Sequence, residues 1–131
     1  MTLNNQDFIG ELRLSRLPYY DELLGQERFK SRPIVIIGAE NDYGPTDFSV
    51  LPVSKVSHEK NIDDFFDVKV TQRAYPFLGL NEPVSYIRTH KFYTVNSIDV
   101  SADPICLIQS QYPNLYREIR DKFHTYVNGL F

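Results

Sequence analysis

Arg32-Pro33-Ile34-Val35-Ile36-Ile37-Gly38, then Asn41-Asp42-Tyr43-Gly44-Pro45, then Phe48-Ser49-Val50-Leu51-Pro52-Val53-Ser54: these three stretches decide the fold. Two β-branched runs separated by Asn, Asp, Gly and Pro predict an antiparallel pair of strands. Residues facing each other in such a pair have numbers with a nearly constant sum, and a loop centred near Tyr43 sets that sum at about 86. Arg32 then lies opposite or next to Ser54. A guanidinium and a hydroxyl at the open end of a hairpin suit the holding of a phosphate. A bulge of one residue would turn Ser54 to the other face.

Working outward, Gly10 to Leu17 alternates apolar Leu12 and Leu14 with polar Arg13 and Ser15, the pattern of a half-buried strand that Pro18 ends. Tyr19 to Ser31 is charged and reads as a mobile loop or one helical turn. Within it Arg28 and Lys30 alternate with Arg32, so an extended backbone would carry all three on one side. Beyond the central pair, Ser57 to Asn61 reads as a polar turn, Phe65 to Val70 as a strand, and Thr71 to Pro83 as irregular chain punctuated by Pro76, Gly79 and Pro83. Val84 to His90 and Phe92 to Val95 read as two more strands; Ile105 to Ile108 is too short to assign. At the C-terminus Leu115, Ile119, Phe123 and Val127 recur every four residues after Pro113, with Tyr116 and Tyr126 broadening the stripe, predicting an amphipathic helix from about Pro113 to Val127, stopped by Asn128-Gly129. The class is α+β and strand-dominated: a small, bent antiparallel sheet or partly open barrel with the helix packed against it.

The whole chain fits one domain, residues 1–131, with 42% apolar and 24% charged residues. Nine tyrosines and nine phenylalanines suffice for a core. Cys106 is the single cysteine and has no internal disulfide partner, no apolar run approaches the roughly 20 residues of a membrane helix, and the N-terminus lacks a secretory layout. The expected setting is cytoplasmic, with no membrane association. A net charge of −3 argues against non-specific coating of duplex DNA, which needs many Lys and Arg contacts, yet leaves room for a local basic patch.

Gly10-Glu11-Leu12 at the first strand, Arg32-Pro33-Ile34-Val35-Ile36 at the second, Leu51-Pro52-Val53-Ser54 at the third, the Val84 to Ile87 strand and the terminal helix follow the order of the MazF/PemK/Kid family of toxin endoribonucleases. The resemblance covers most of the chain. It implies an SH3-like barrel, a homodimer, cleavage of single-stranded RNA without a metal or other cofactor, and control by a small antitoxin protein. The family's catalytic arginine matches Arg32 and its catalytic threonine or serine matches Ser54. The stretch before Arg-Pro, Gly25 to Ser31, keeps only part of the family's character, and Glu82-Pro83 stands where members often have an acidic residue followed by Gln.

Metal-free cleavage uses the neighbouring 2′-hydroxyl as nucleophile and leaves a 2′,3′-cyclic phosphate and a 5′-hydroxyl. The protein must position the phosphate, stabilise added negative charge and move protons. Arg32 suits charge stabilisation better than proton abstraction, because its fork contacts two oxygens and guanidinium hardly deprotonates. Ser54 suits a phosphate oxygen or the 2′-hydroxyl; its plain alternative is a hydroxyl satisfied by backbone. Of three scattered histidines, His58 is the auxiliary acid/base candidate, against an ordinary exposed loop histidine, and no pair has metal-ligand spacing. Arg28, Lys30, Arg88, His90 and Lys91 are candidate RNA contacts, against solvated strand ends. Tyr86, Phe92 and Tyr93 offer stacking faces, although core packing accounts for them too. Asp63, Asp64 and Asp67 read as surface acidity rather than a two-metal site. A barrel that binds RNA or a protein without cutting is the alternative function.

Overall fold

The computed structural model describes residues 3–131. After a 3-10 turn at Asn5–Phe8 come β1 (Glu11–Asp21), β2 (Gln26–Ala39) and β3 (Asp47–Ser54), then β4 (Asp67–Thr71), β5 (Val84–Arg88), β6 (Tyr93–Asn96) and β7 (Cys106–Leu107). Helices α1 (Ile108–Gln111) and α2 (Pro113–Asn128) close the chain. The pairings are antiparallel, in the order β4-β5-β3-β2-β1-β7, with β6 also on β3. One edge of β3 serves two partners. Its first half, Asp47–Val50, pairs with β6, and its end, Val53 and Ser54, pairs with Ile87 and Tyr86 of β5. The sheet curls into a strand-dominated half barrel with the C-terminal helix against it.

Ile34, Val35 and Ile36 are all buried, a continuous apolar run rather than an alternating one, because both faces of β2 are covered. Val35 joins Leu12, Leu51, Val53 and the helix residues Leu115 and Ile119; Ile34 and Ile36 join Phe48, Val50 and Val95 on the opposite face. Full burial of each such side chain stabilises the fold by about 1.5–3 kcal/mol.

Two expectations change. Pro18 does not end β1, and Tyr19 to Ser31 is neither loop nor helical turn: β1 and β2 continue as a two-stranded arm pairing Arg16 with Ser31, Pro18 with Phe29 and Tyr20 with Glu27. In a ribbon with a free edge, a proline's missing N–H falls where no ladder bond is needed. The tip is fixed by Asp21, whose carboxylate accepts from the Leu23 and Leu24 N–H groups, and by Gly25 at φ +63°. On α2, Val127 is exposed and Tyr126 takes its place in the seam, packing on Phe66 at 5.3 Å and Phe92 at 6.4 Å. A four-residue step overshoots one helical turn by about 40°, so the stripe drifts and an i+3 step restores contact.

Gly10 joins the two layers. It sits at φ +88°, and a Cβ there would lie 2.6 Å from Cε2 of Tyr116. Gly10→Ala therefore forces both an unfavourable backbone and a clash under α2; we expect about 1–3 kcal/mol of lost stability, read as a lower urea midpoint.

Candidate nucleic-acid interface

The ladder between β2 and β3 runs Ile34↔Pro52, Val35↔Leu51 and Ile36↔Val50, all summing to 86, and then Gly38↔Ser49 and Ala39↔Phe48, summing to 87. A bulge between Ile36 and Gly38 absorbs the extra residue on the turn side. The ladder ends at Ile34↔Pro52; the same register continued two residues further would set Arg32 level with Ser54. Without the bulge Arg32 would stand level with Lys55.

Past Ile34 the two strands part: β2 stays paired with β1, while the end of β3 pairs with β5. Arg32 pairs with Ser15 of β1, whose buried hydroxyl donates to the Arg32 carbonyl at 3.3 Å, while Ser54 pairs with Tyr86. The gap opens into a basin lined by Arg32, Ser54, Lys55, His58, Asn61, Arg88 and Lys91, with Val56 and Ser57. Four cations face it, and no carboxylate does among the described residues. The Arg32 side chain makes no hydrogen bond or ion pair with another described residue, so its whole fork is available.

Arg88 is held differently. Its Nε donates to Asp67 Oδ1 at 3.0 Å, and its Nη2 donates to Asp67 Oδ2 at 3.3 Å and to the Asn61 carbonyl at 2.9 Å. The Asp67 carboxylate is wholly buried and also accepts the Asp63 N–H at 2.9 Å. Arg88 thus lines the basin from a fixed frame, with Nε and Nη2 already bonded, a geometry that costs little side-chain entropy on binding. Asp67 is the site residue that its sequence context conceals: it reads as one of three surface acids, yet it stands between Phe66 and Val68 at the start of an apolar strand. Asp63 caps the same turn, and hydrogen bonds from the Phe66 and Phe65 N–H groups hold its carboxyl below the usual range.

Of the residues singled out from sequence, Arg32, Ser54, His58, Arg88 and Lys91 share the basin. Arg28 and Lys30 lie out on the arm. His90 does not line the basin: its ring packs 5.9 Å from Phe66 and 6.2 Å from Tyr126, and Nδ1 lies 3.7 Å from Asp67 Oδ1 with no hydrogen-bond partner. Phe92 packs on Phe123 at 5.5 Å, whereas Tyr86 stands beside Ser54 at the basin's edge of β5. Glu82 forms only an exposed pair with Lys55 at 3.7 Å. Lys55 and Asn61 enter the site through the bend after Ser54, which no sequence period announces.

Burial lowers the His90 pKa below its ordinary 6.5, outweighing the opposing pull of Asp67; Arg88 and Lys91 lower it further. The unfolded chain then binds more protons than the native one between the two values, so native stability rises with pH across that window. Stability is fully present above about pH 6.5 and falls on acidification towards the lowered value. His90→Phe should remove this slope from a series of urea midpoints taken between pH 5 and 7.

Among the described residues no grouping of three or more His, Cys, Asp or Glu side chains is set to hold a metal ion, and no helix is long and apolar enough to cross a membrane. No protein-family model and no curated protein matches this chain.

Proposed function

We propose that this chain is an endoribonuclease that cuts single-stranded RNA without a metal ion. The observation that carries the reading is a basin lined by four cationic side chains and no carboxylate, two of those cations being paired with Asp67 and Glu82 outside the lining, in which an unpartnered Arg32 and Ser54 both stand, on a chain whose net charge is −3. A cleft lined by one sign of charge focuses its field, which supports reading the basin as an anion site.

In this mechanism a phosphodiester lies between Arg32 and Arg88. The Arg32 fork contacts two non-bridging oxygens and strengthens its hold as attack by the 2′-oxygen adds negative charge; Arg88 supplies a rigid second donor. Ser54 donates to a phosphate oxygen or orients the 2′-hydroxyl. His58 takes the proton from the 2′-hydroxyl or gives one to the departing 5′-oxygen, and water in the open basin exchanges the other. The bond from phosphorus to the 5′-oxygen breaks as the 2′-bond forms, leaving a cyclic phosphate and a 5′-hydroxyl.

The resemblance to MazF, PemK and Kid extends the proposal to a cytoplasmic toxin that acts as a homodimer and is restrained by a small antitoxin protein. Incubating the purified chain with mixed-sequence single-stranded RNA in excess chelator tests the core of the proposal: discrete cleavage is expected. Intact RNA that is nevertheless bound would favour a non-cutting barrel instead.

A further inference from the structure

We infer that the β1–β2 arm continues the basin's anion site as a phosphate track for the same RNA strand; this rests on the basin binding single-stranded RNA. Directly opposed residues of an antiparallel pair share a face, and Ser15↔Arg32, Leu17↔Lys30 and Tyr19↔Arg28 are opposed. Arg32 lines the basin. Lys30 and Arg28 therefore follow it outward on the same face, each about 7 Å beyond the last, two strand residues at ~3.4 Å apiece. That interval is comparable to the spacing of successive phosphates in an extended single strand.

Their charges remain available. The Lys30 ammonium lies 5.1 Å from the centre of the Tyr19 ring, a contact that orders it without neutralising it. Arg28 is half exposed, and its one carboxylate neighbour, Asp21 at the arm's tip, stands at 3.5 Å; such a surface pair is worth under about 1 kcal/mol and yields readily to a phosphate. The reverse face is built otherwise. There Arg16 lies flat over Phe29, its guanidinium carbon 3.7 Å from the ring centre, pointing away from the track. Charge and continuity with the basin both select a polyanionic single strand as occupant. The scissile phosphate occupies the inner end of the track, and the nucleotides flanking it on one side lie along the arm.

The test is fluorescence anisotropy with a labelled 2′-O-methyl RNA oligonucleotide, which lacks the attacking hydroxyl and so reports binding alone, across a series of salt concentrations. Each phosphate contact on a single strand contributes about 0.7 to the slope of log affinity against log salt. The double variant Arg28→Ala/Lys30→Ala should lower that slope by about 1.4, whereas Arg16→Ala should leave it unchanged. Circular dichroism confirms that both variants fold. A double variant with the parent's slope, or an Arg16→Ala slope lowered as much, overturns the track while leaving the basin reading intact. A parent that binds polyglutamate but no RNA overturns both and assigns the arm to an acidic protein. Binding without cleavage of the 2′-hydroxyl form removes only the nuclease.

Discussion

Arg32→Ala should leave the fold intact and slow RNA cleavage by a factor of about a hundred to a thousand, the usual loss when one preorganised donor to a developing oxyanion is removed. The backbone of Arg32 is fixed by pairing with Ser15 and by the hydrogen bond to its carbonyl, neither of which uses the guanidinium. Truncating the side chain therefore disturbs no internal ion pair. The other basin arginine cannot take over, since two of its three guanidinium nitrogens are committed to Asp67 and Asn61. Arg32→Lys keeps the charge but not the two-pronged contact, so it should fall between parent and alanine variant. Single-turnover rates, with RNA binding measured separately, distinguish lost transition-state stabilisation from lost affinity.

Glu11→Ala should destabilise the fold by about 3–5 kcal/mol, against the 5–15 kcal/mol typical of a domain. Arg13 Nη2 donates to both Glu11 carboxylate oxygens, at 3.0 and 3.2 Å, with both side chains at least nine-tenths buried. Its Nη1 donates to the Ser101 and Ala102 carbonyls at 2.7 Å, and Phe8 lies against the guanidinium at 4.5 Å. Removing Glu11 leaves a buried cation with only dipoles for company. The urea midpoint should drop accordingly. Replacing Glu11 and Arg13 together by methionine should restore much of it, because no uncompensated charge then remains.

The central hairpin was legible because β-branched runs and turn residues are local signals, and the sum of 86 near Ser54 follows from them. The sum holds from Ile36↔Val50 to Ile34↔Pro52, where the ladder ends, through a bulge that the sequence did not announce. The loop itself is centred half a residue later, and the bulge at Ile37 cancels the difference. The terminal helix was legible to within a residue at Asn128, and so was the part of its stripe that Tyr116 and Tyr126 broaden; Val127 fell out of it because a strict four-residue step cannot track a helix of 3.6 residues per turn. The arm was missed because its stability comes from cross-strand contacts such as Arg16 on Phe29, which link residues thirteen apart in a segment rich in charge. Arg32, Ser54, His58, Arg88 and Lys91, singled out from sequence as residue types that suit phosphate chemistry, line one basin. Asp67, which fixes Arg88, was hidden because burial is a property of the folded sheet. His90 looked like part of a basic cluster, yet it lies past the end of β5, in the turn where the Thr89 hydroxyl donates to the Phe66 carbonyl, and that turn carries it against the rings of Phe66 and Tyr126.

The most direct measurement takes one mapped cleavage site in a short synthetic RNA and compares that RNA with a copy carrying a single 2′-deoxy substitution at the nucleotide 5′ to the cut. In excess chelator, the parent RNA should yield a 2′,3′-cyclic phosphate and a 5′-hydroxyl, and the substituted copy should stay intact at that position. Cleavage of the deoxy copy at the same rate, or ends bearing a 5′-phosphate, would contradict attack by the 2′-hydroxyl in the Arg32 and Ser54 basin.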